Sequence, residues 1–373
     1  MLEGVRTFGV ANPPLGDGKE SSQTFTYDKA GRLIRTEDWK DAAADWTCET
    51  RDYELDADSN RTKLTTTAPG GWCGAGASTE KNSTYDPSDR ITSSGYAYDA
   101  FGRITTVPQA DAGGSSDLTA SYFVNDLAKS ITQDGLTQTI TLDPLGRMGT
   151  KSKFGTQVAN ESYAYTDDSD APAWVGTSTT DWTRYIEGIE GDMSAITVKT
   201  ASTSTTKFVI NNLRGDTVAE VSNGQLEAVR EVDEFGVVDG GLPASRPYGF
   251  HGSKQREAVA SGGTIAMGVR LYSPRTGRFL QVDPVRGGSD SAYDYAGQDP
   301  INNTDLDGLR KKRRKWKNKV HTHALVLKIS IPGLPDPSTF QLTTKMSFQY
   351  NGVNVRNAGL LPARVNTSGR QFL

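Results

Sequence analysis

Hydrophobic and polar residues alternate along this chain in short runs that are broken at close intervals, and long stretches at helical period are missing. Runs such as Ile104-Thr105-Thr106-Val107 and Thr139-Ile140-Thr141-Leu142 set apolar side chains among threonines, the pattern of strands with one dry and one wet face. Tyr-Asp, Asp-Pro, Asp-Gly and Gly-Arg pairs stand between such runs and mark tight turns. The stretch TFTYDKAGRLIRTED shows one unit. Tyr27 ends a strand, Asp28 opens a turn by accepting backbone N–H bonds, Gly31 takes the left-handed position, and Leu33 and Ile34 start the return strand.

The signature recurs at Tyr85-Asp86 to Asp89-Arg90, Tyr98-Asp99 to Gly102-Arg103 and Leu142-Asp143 to Gly146-Arg147. Looser copies are read at Leu55-Asp56 to Asn60-Arg61, Val124-Asn125 to Ala128-Lys129, Ile210-Asn211 to Gly215, and Val232-Asp233 to Gly236. A lone hairpin cannot bury its apolar face, so consecutive hairpins are expected to pair edge to edge into one extended antiparallel sheet. The spacing is irregular, which excludes a strict solenoid. The fold class expected is all-β, an irregular array of antiparallel β-hairpins with a small β-rich module at the C-terminal end. The repeated Asp and Arg are read as turn and ladder residues.

Composition agrees: there are 39 glycines, with many threonines, serines and tyrosines. No run of 18 apolar residues occurs, so no membrane-spanning helix is expected. The opening MLEGVRTFGVANPPLG has neither a basic start nor an apolar core of a secretory leader. That leaves export by another route, or an origin inside a longer polypeptide. The two cysteines, Cys48 and Cys73, flank a hairpin read around Asp56 to Asn60, so a disulfide is geometrically reasonable, with two separate thiols as the alternative. A bridge would imply an oxidising destination. The three histidines, His251, His321 and His323, form no cluster with the cysteines at metal-ligand spacing, so no metal site and no cofactor are expected.

Charge divides the chain sharply. From Arg310 to Leu373 there are 13 Lys or Arg against one acid, Asp336, whereas the preceding 309 residues carry 28 basic and 44 acidic side chains. The run Arg310, Lys311, Lys312, Arg313, Arg314, Lys315, Trp316 and Lys317 could bind a polyanion such as nucleic acid or anionic lipid, or be a solvated linker. Beyond it, HTHALVLKISIPG reads as a strand and FQLTTKMSFQYNGVNV as a hairpin turning at Asn351-Gly352. His321 and His323 alternate onto one strand face, with no supporting carboxylate cluster nearby in sequence.

The densest run of turn pairs is GVRLYSPRTGRFLQVDPVRGGSDSAYDYAGQDPINNTDLDGL, from Gly268 to Leu309. Here Arg270, Asp283 and Asp305 offer one fixed cation and two carboxylates; forced together, two carboxylates can share a proton and act as an acid/base pair. As an alternative, the same residues cap turns.

The YDxxGR units, GVRLYSPRTGRFLQVDPV and YDYAGQDPINNTDLDG together resemble the YD-repeat proteins with an RHS-associated core domain. The core resemblance covers about Tyr248 to Gly308, and the looser repeats extend it back to about Thr24. The resemblance implies a β-shell, a ribbon of hairpins spiralling around a C-terminal toxin that the chain carries as cargo. It divides the chain into an N-terminal segment (1–23), the hairpin array (24–247), the core domain (248–309) and a variable segment (310–373). It further implies aspartyl-type self-cleavage by an Arg and two Asp, which fall on Arg270, Asp283 and Asp305, with the cut between Leu309 and Arg310. One Asp would activate water while the other, protonated, would polarise the Leu309 carbonyl. Two positions depart from the pattern: Asp299 replaces an Asn, and Leu306 replaces the Pro after Asp305, freeing the backbone there.

The expected partners are the chain's own C-terminal segment, the missing N-terminal part of the shell and an immunity protein, in a secreted or cell-surface bacterial setting. Three functions follow: a self-processing shell carrying a toxin-like segment; a non-catalytic structural or adhesive scaffold; and a nucleic-acid-targeting effector in residues 310–373. For the scaffold, Trp39, Trp46, Trp72, Trp174 and Trp182 are the candidates for carbohydrate contact, with hairpin packing as their other use.

Overall fold

The computed structural model describes residues 3–6, 21–42, 45–189, 191–227, 230–238, 247–285, 287–313, 317–329, 338–350 and 355–368, with side chains described within 23–40, 46–189, 191–227, 230–238, 247–285 and 287–313. The chain forms two compact units, Met1–Lys312 and Arg313–Leu373. Antiparallel strands dominate both, and the sheets do not close into a barrel. Among the described residues the one α-helix is a single turn, Gln109–Ala112, and no helix is long and apolar enough to cross a membrane.

In the first unit the hairpins pair strictly in chain order. The array is divided into a six-stranded sheet, from Glu3–Arg6 to Ser78–Asn82, and a thirteen-stranded sheet, from Ala97–Tyr98 to Gln225–Glu227. One continuous sheet was the expectation. The break falls where Tyr85 and Ile91 are joined only by an isolated bridge. Facing threonine and serine hydroxyls pair across strands, as in Thr141 with Thr150 at 2.7 Å and Thr197 with Thr206 at 2.9 Å.

The repeat turn has one geometry. In each strong copy the Asp Oδ1 accepts backbone N–H bonds two and four residues on, and its Oδ2 takes the Nε–H of the closing Arg. For Asp28 these bonds measure 2.9, 2.9 and 2.7 Å, and for Asp143 they measure 2.9, 2.8 and 2.8 Å. The fourth residue has a positive φ, +84° at Gly31 and +81° at Gly102, which glycine adopts at no steric cost. Where glycine is missing, Ser59 and Asp89 take the same conformation at +66° and +61°.

Three of the looser copies lie in a different register from the one read in sequence. The turn read from Asn125 starts at Phe123, whose N–H bonds Leu127 O, and its left-handed residue is Asp126. The turn read from Asn211 starts at Asn212. In the turn opened by Asp56 the closing position belongs to Asn60 and not to Arg61. Backbone bonding defines these turns, so a polar residue one or two places away misleads. Ile104-Thr105-Thr106-Val107 also departs from simple alternation, since Ile104 and Val107 are both buried. A bulge there, with Tyr98 opposite Ile104 and Ala97 opposite Thr106, returns both side chains to the core face.

The closing arginines do more than cap their own turns. The free end of Arg32 reaches Asp56 O at 2.7 Å, that of Arg103 reaches Phe123 O at 2.8 Å, and that of Arg147 reaches Asp167 O at 2.6 Å. Each arginine therefore ties its turn to the next one along the array.

Residues after Pro247 pack into this array. One apolar core joins Ile104, Leu118, Ile131 and Ile140 of the array to Val259, Leu271 and Leu280; a second is the aromatic cluster Phe250, Tyr272, Phe279 and Tyr295. Polar side chains of this segment seek the repeat turns. Arg278 bonds Asn60 and Asp89 O, Gln281 bonds Asp126 O, Tyr293 bonds Gly102 O, and Tyr272 bonds Phe235 O.

Cys48 and Cys73 are bonded, with the sulfurs 2.00 Å apart. The second unit is a three-stranded antiparallel meander, Lys317–Ile329, Ser338–Tyr350 and Val355–Ser368. His321 and His323 face Met346 and Thr344 in its register, and the turn read at Asn351-Gly352 lies outside the described residues.

Candidate functional site

Three short elements converge at the end of the core segment. Arg270 opens the central strand, Arg270–Ser273, of a small sheet, and a turn through Gly268 precedes it. The loop from Asp305 to Leu309 lies against that turn: Val269 N–H bonds Asp307 O at 3.0 Å, and a Cβ on Gly268 would stand 2.2 Å from the same oxygen. A Cβ on Gly308 would stand 2.5 Å from Met267 O, so two glycines allow the loops to touch. Asp283 is held by its own N–H to Ala292 O at 2.8 Å, and its Oδ1 caps Val285 N–H at 2.8 Å.

The result brings Arg270, Asp283 and Asp305 together. One guanidinium nitrogen of Arg270, Nη2, donates to Asp283 Oδ2 at 3.2 Å and to Asp305 Oδ2 at 3.0 Å, and all three side chains are almost fully buried. The guanidinium stacks on Phe279 at 3.6 Å, while its Nε and Nη1 are buried without a hydrogen-bond partner. Burial pulls the Arg270 pKa below its ordinary value, against the pull of both carboxylates.

The two aspartates differ. Burial pushes Asp305 up to about 6 against the opposing charge of Arg270, and the neighbouring Asp307 raises it further. Burial also works on Asp307, but Lys312 and Asp305 outweigh it and hold Asp307 below its usual value. Asp283 Oδ2 accepts a 2.6 Å bond from Ser289 Oγ. Arg270 thus bridges Asp283 and Asp305, and Asp307 is a further carboxyl beside Asp305.

Asp305 also reaches the Leu309–Arg310 peptide. Asp305 Oδ1 accepts the N–H of Leu309 at 3.0 Å and the N–H of Arg310 at 3.2 Å. A Cβ on Gly288 would lie 3.0 Å from Leu309 O and 3.2 Å from Asp283 Oδ2, so the carbonyl and the carboxylate both border Gly288. Leu306 packs on the aromatic cluster, so apolar burial anchors the loop where proline is missing. Asp299 caps Asn302 N–H at 3.1 Å.

Of the basic run, Arg310 to Arg313 are exposed, Lys311 pairs with Asp290 and Lys312 with Asp307. Arg314, Lys315 and Trp316 lie outside the described residues, as does the side chain of Lys317. The tryptophans are dispersed: Trp174 and Trp182 meet edge to face at 6.2 Å, whereas Trp72 stands exposed at another sheet. Sequence reading missed Asp307, Ser289 and Gly288, which matter through proximity and carry no distinctive spacing.

Fold and site together define an all-β hairpin-repeat protein with a buried Arg–Asp–Asp centre beside one of its own peptide bonds. No protein-family profile and no curated protein sequence matches the chain. Among solved structures it is similar to "Crystal Structure of TcdB2-TccC3-Cdc42", with TM-score 0.58 and 16% identity over 77% of this chain and 15% of that one. It is also similar to "Crystal Structure of TcdB2-TccC3 without hypervariable C-terminal region", with TM-score 0.59 and 18% identity over 77% and 15%. A third, "Crystal Structure of TcdB2-TccC3", gives 0.58 and 16% over 77% and 16%. The chain thus shares a fold with these structures and spans about one sixth or less of their length.

Proposed function

We propose that this chain is part of a β-shell of the toxin-complex kind, that it carries residues 310–373 as cargo, and that it releases them by hydrolysing its own Leu309–Arg310 bond. The observation that supports the reading is that Asp305 Oδ1 accepts the Arg310 N–H while Leu309 O and Asp283 Oδ2 both border Gly288. Asp283, as the base, takes a proton from water as the water oxygen attacks the Leu309 carbonyl carbon. Asp305, which burial keeps protonated to higher pH than an ordinary carboxyl, gives its proton to the Arg310 nitrogen as the C–N bond breaks. Arg270 holds both carboxylates in place and offsets the charge on them. The products are a Leu309 carboxyl terminus and an Arg310 amino terminus.

In this role the shell belongs outside the producing cell, where the Cys48–Cys73 bridge would persist. An immunity protein belongs to the same reading, whereas a nucleic-acid target for residues 310–373 is a separate alternative. The test is a denaturing gel of the full chain: the parent runs as two fragments, and Asp283→Asn and Asp305→Asn each leave one full-length band. A parent that runs as a single band leaves the shell as a scaffold.

A further inference from the structure

The self-cleavage reading concerns the bond; the side chains just beyond it carry a separate signal. Lys311 Nζ pairs with Asp290 Oδ2 at 3.2 Å, and its side chain lies across Gly297, where a Cβ would come within 2.5 Å of Nζ. Gly297 has φ +68°, so a larger residue there would be both strained and in the way. Lys312 pairs with Asp307. Asp290 and Asp307 come from different loops of the core segment, one after Ser289 and one beside Asp305, and they meet consecutive residues on the downstream side of the Leu309–Arg310 bond. Two successive cations therefore each have a carboxylate on the core, and one of them also lies across a glycine.

We infer that the core segment recognises its cleavage site from the downstream side, through a subsite formed by Asp290 and Gly297 for Lys311 and a second formed by Asp307 for Lys312. The inference rests on the self-cleavage reading. It assigns a positioning role to two residues of the cargo: they draw the chain beyond the bond along the core, so that the Arg310 nitrogen stays against Asp305. The chemical class taken is a basic dipeptide step immediately after Arg310. A cargo joined at Arg310 without these cations would be cut slowly even with Arg270, Asp283 and Asp305 intact. Both ion pairs are half-exposed, so loss of either alone has a limited effect, while reversal of charge turns attraction into repulsion.

The experiment follows self-cleavage of the full chain, made by cell-free synthesis and sampled on denaturing gels. Lys311→Glu and Lys312→Glu are each expected to slow the cut about 3- to 10-fold. Lys312→Arg is expected to stay within about twofold of the parent, because it keeps the charge. The exchange variant Lys311→Glu with Asp290→Lys is expected to recover most of the rate, which separates a specific pair from a folding defect. Lys328→Glu, a charge reversal elsewhere in the cargo, is expected to leave the rate unchanged. Cutting of Lys311→Glu and Lys312→Glu at the parental rate overturns the inference and leaves the self-cleavage reading standing, as does equal slowing by Lys328→Glu. A parent that stays intact overturns both.

Discussion

Protonated Asp305 as the acid that releases Arg310 makes a quantitative demand on pH. With its pKa near 6, about half of the molecules carry the proton at pH 6, roughly a tenth at pH 7 and about a hundredth at pH 8. The cleavage rate should therefore fall about tenfold per pH unit above pH 7, and the midpoint of the fall should lie near 6, well above the 3.8 of an ordinary Asp. Asp305→Asn keeps the size of the side chain but supplies no carboxylic proton, so the rate should drop by about 10²- to 10⁴-fold, the usual worth of a positioned acid. The assay is refolding of denatured full-length chain by dilution into buffers from pH 5 to 9, with the intact fraction read on denaturing gels over time. Circular dichroism at each pH separates slow folding from slow cleavage. A flat profile between pH 6 and 8.5, or an Asn variant cutting within tenfold of the parent, refutes the assignment of Asp305 as the acid.

Two further predictions concern the scaffold. Arg103→Met removes the bonds to Asp99 Oδ2 at 2.6 Å and Phe123 O at 2.8 Å from a side chain that is 11% exposed, and should cost about 3 kcal/mol in denaturant unfolding of the first unit; a loss below 1 kcal/mol would show that the link between turns is not used. Asp294 is buried with Oδ2 unpartnered, and burial raises it to about 6 from 3.8. The folded state therefore holds this proton more tightly than the unfolded state, and the stabilisation is complete below about pH 4 and lost as pH rises through 6. Asp294→Asn should stabilise the chain by up to about 3 kcal/mol at pH 7.5 and leave it unchanged at pH 3, measured by denaturant unfolding at the two pH values.

Much of the architecture is legible in residue order because it is local. An Asp that caps N–H groups two and four residues on, a glycine at the left-handed position and an arginine that returns to the Asp form one closed unit within five residues. Alternating strands that cannot bury a face alone must then pair with their neighbours, and the pairing in chain order follows. Where the turn lacks that side-chain set, as at Phe123 to Leu127, the register is decided by the backbone and was read two residues off. The charge boundary at Arg310 was equally plain, being a matter of counting.

The candidate centre was legible only as three residue types in a loop-rich stretch. Sequence alone could not say that Arg270 would offer one nitrogen to both Asp283 and Asp305, or that Leu306 would replace proline's constraint by burial. Nor could it link Arg278 to Asn60, 218 residues away, or Asp305 to Asp307 and Lys312. Local hydrogen bonds close within a turn and leave their signature in spacing. Contacts between distant loops depend on how the stacked turns place them, and the acidity of a buried carboxyl depends on every group that packs around it. Residue order thus determined the hairpins, the turns and the division of charge, and the cap of Asp305 on Leu309 and Arg310 is as local as theirs; tertiary packing alone decided that Arg270 and Asp283 come to that loop.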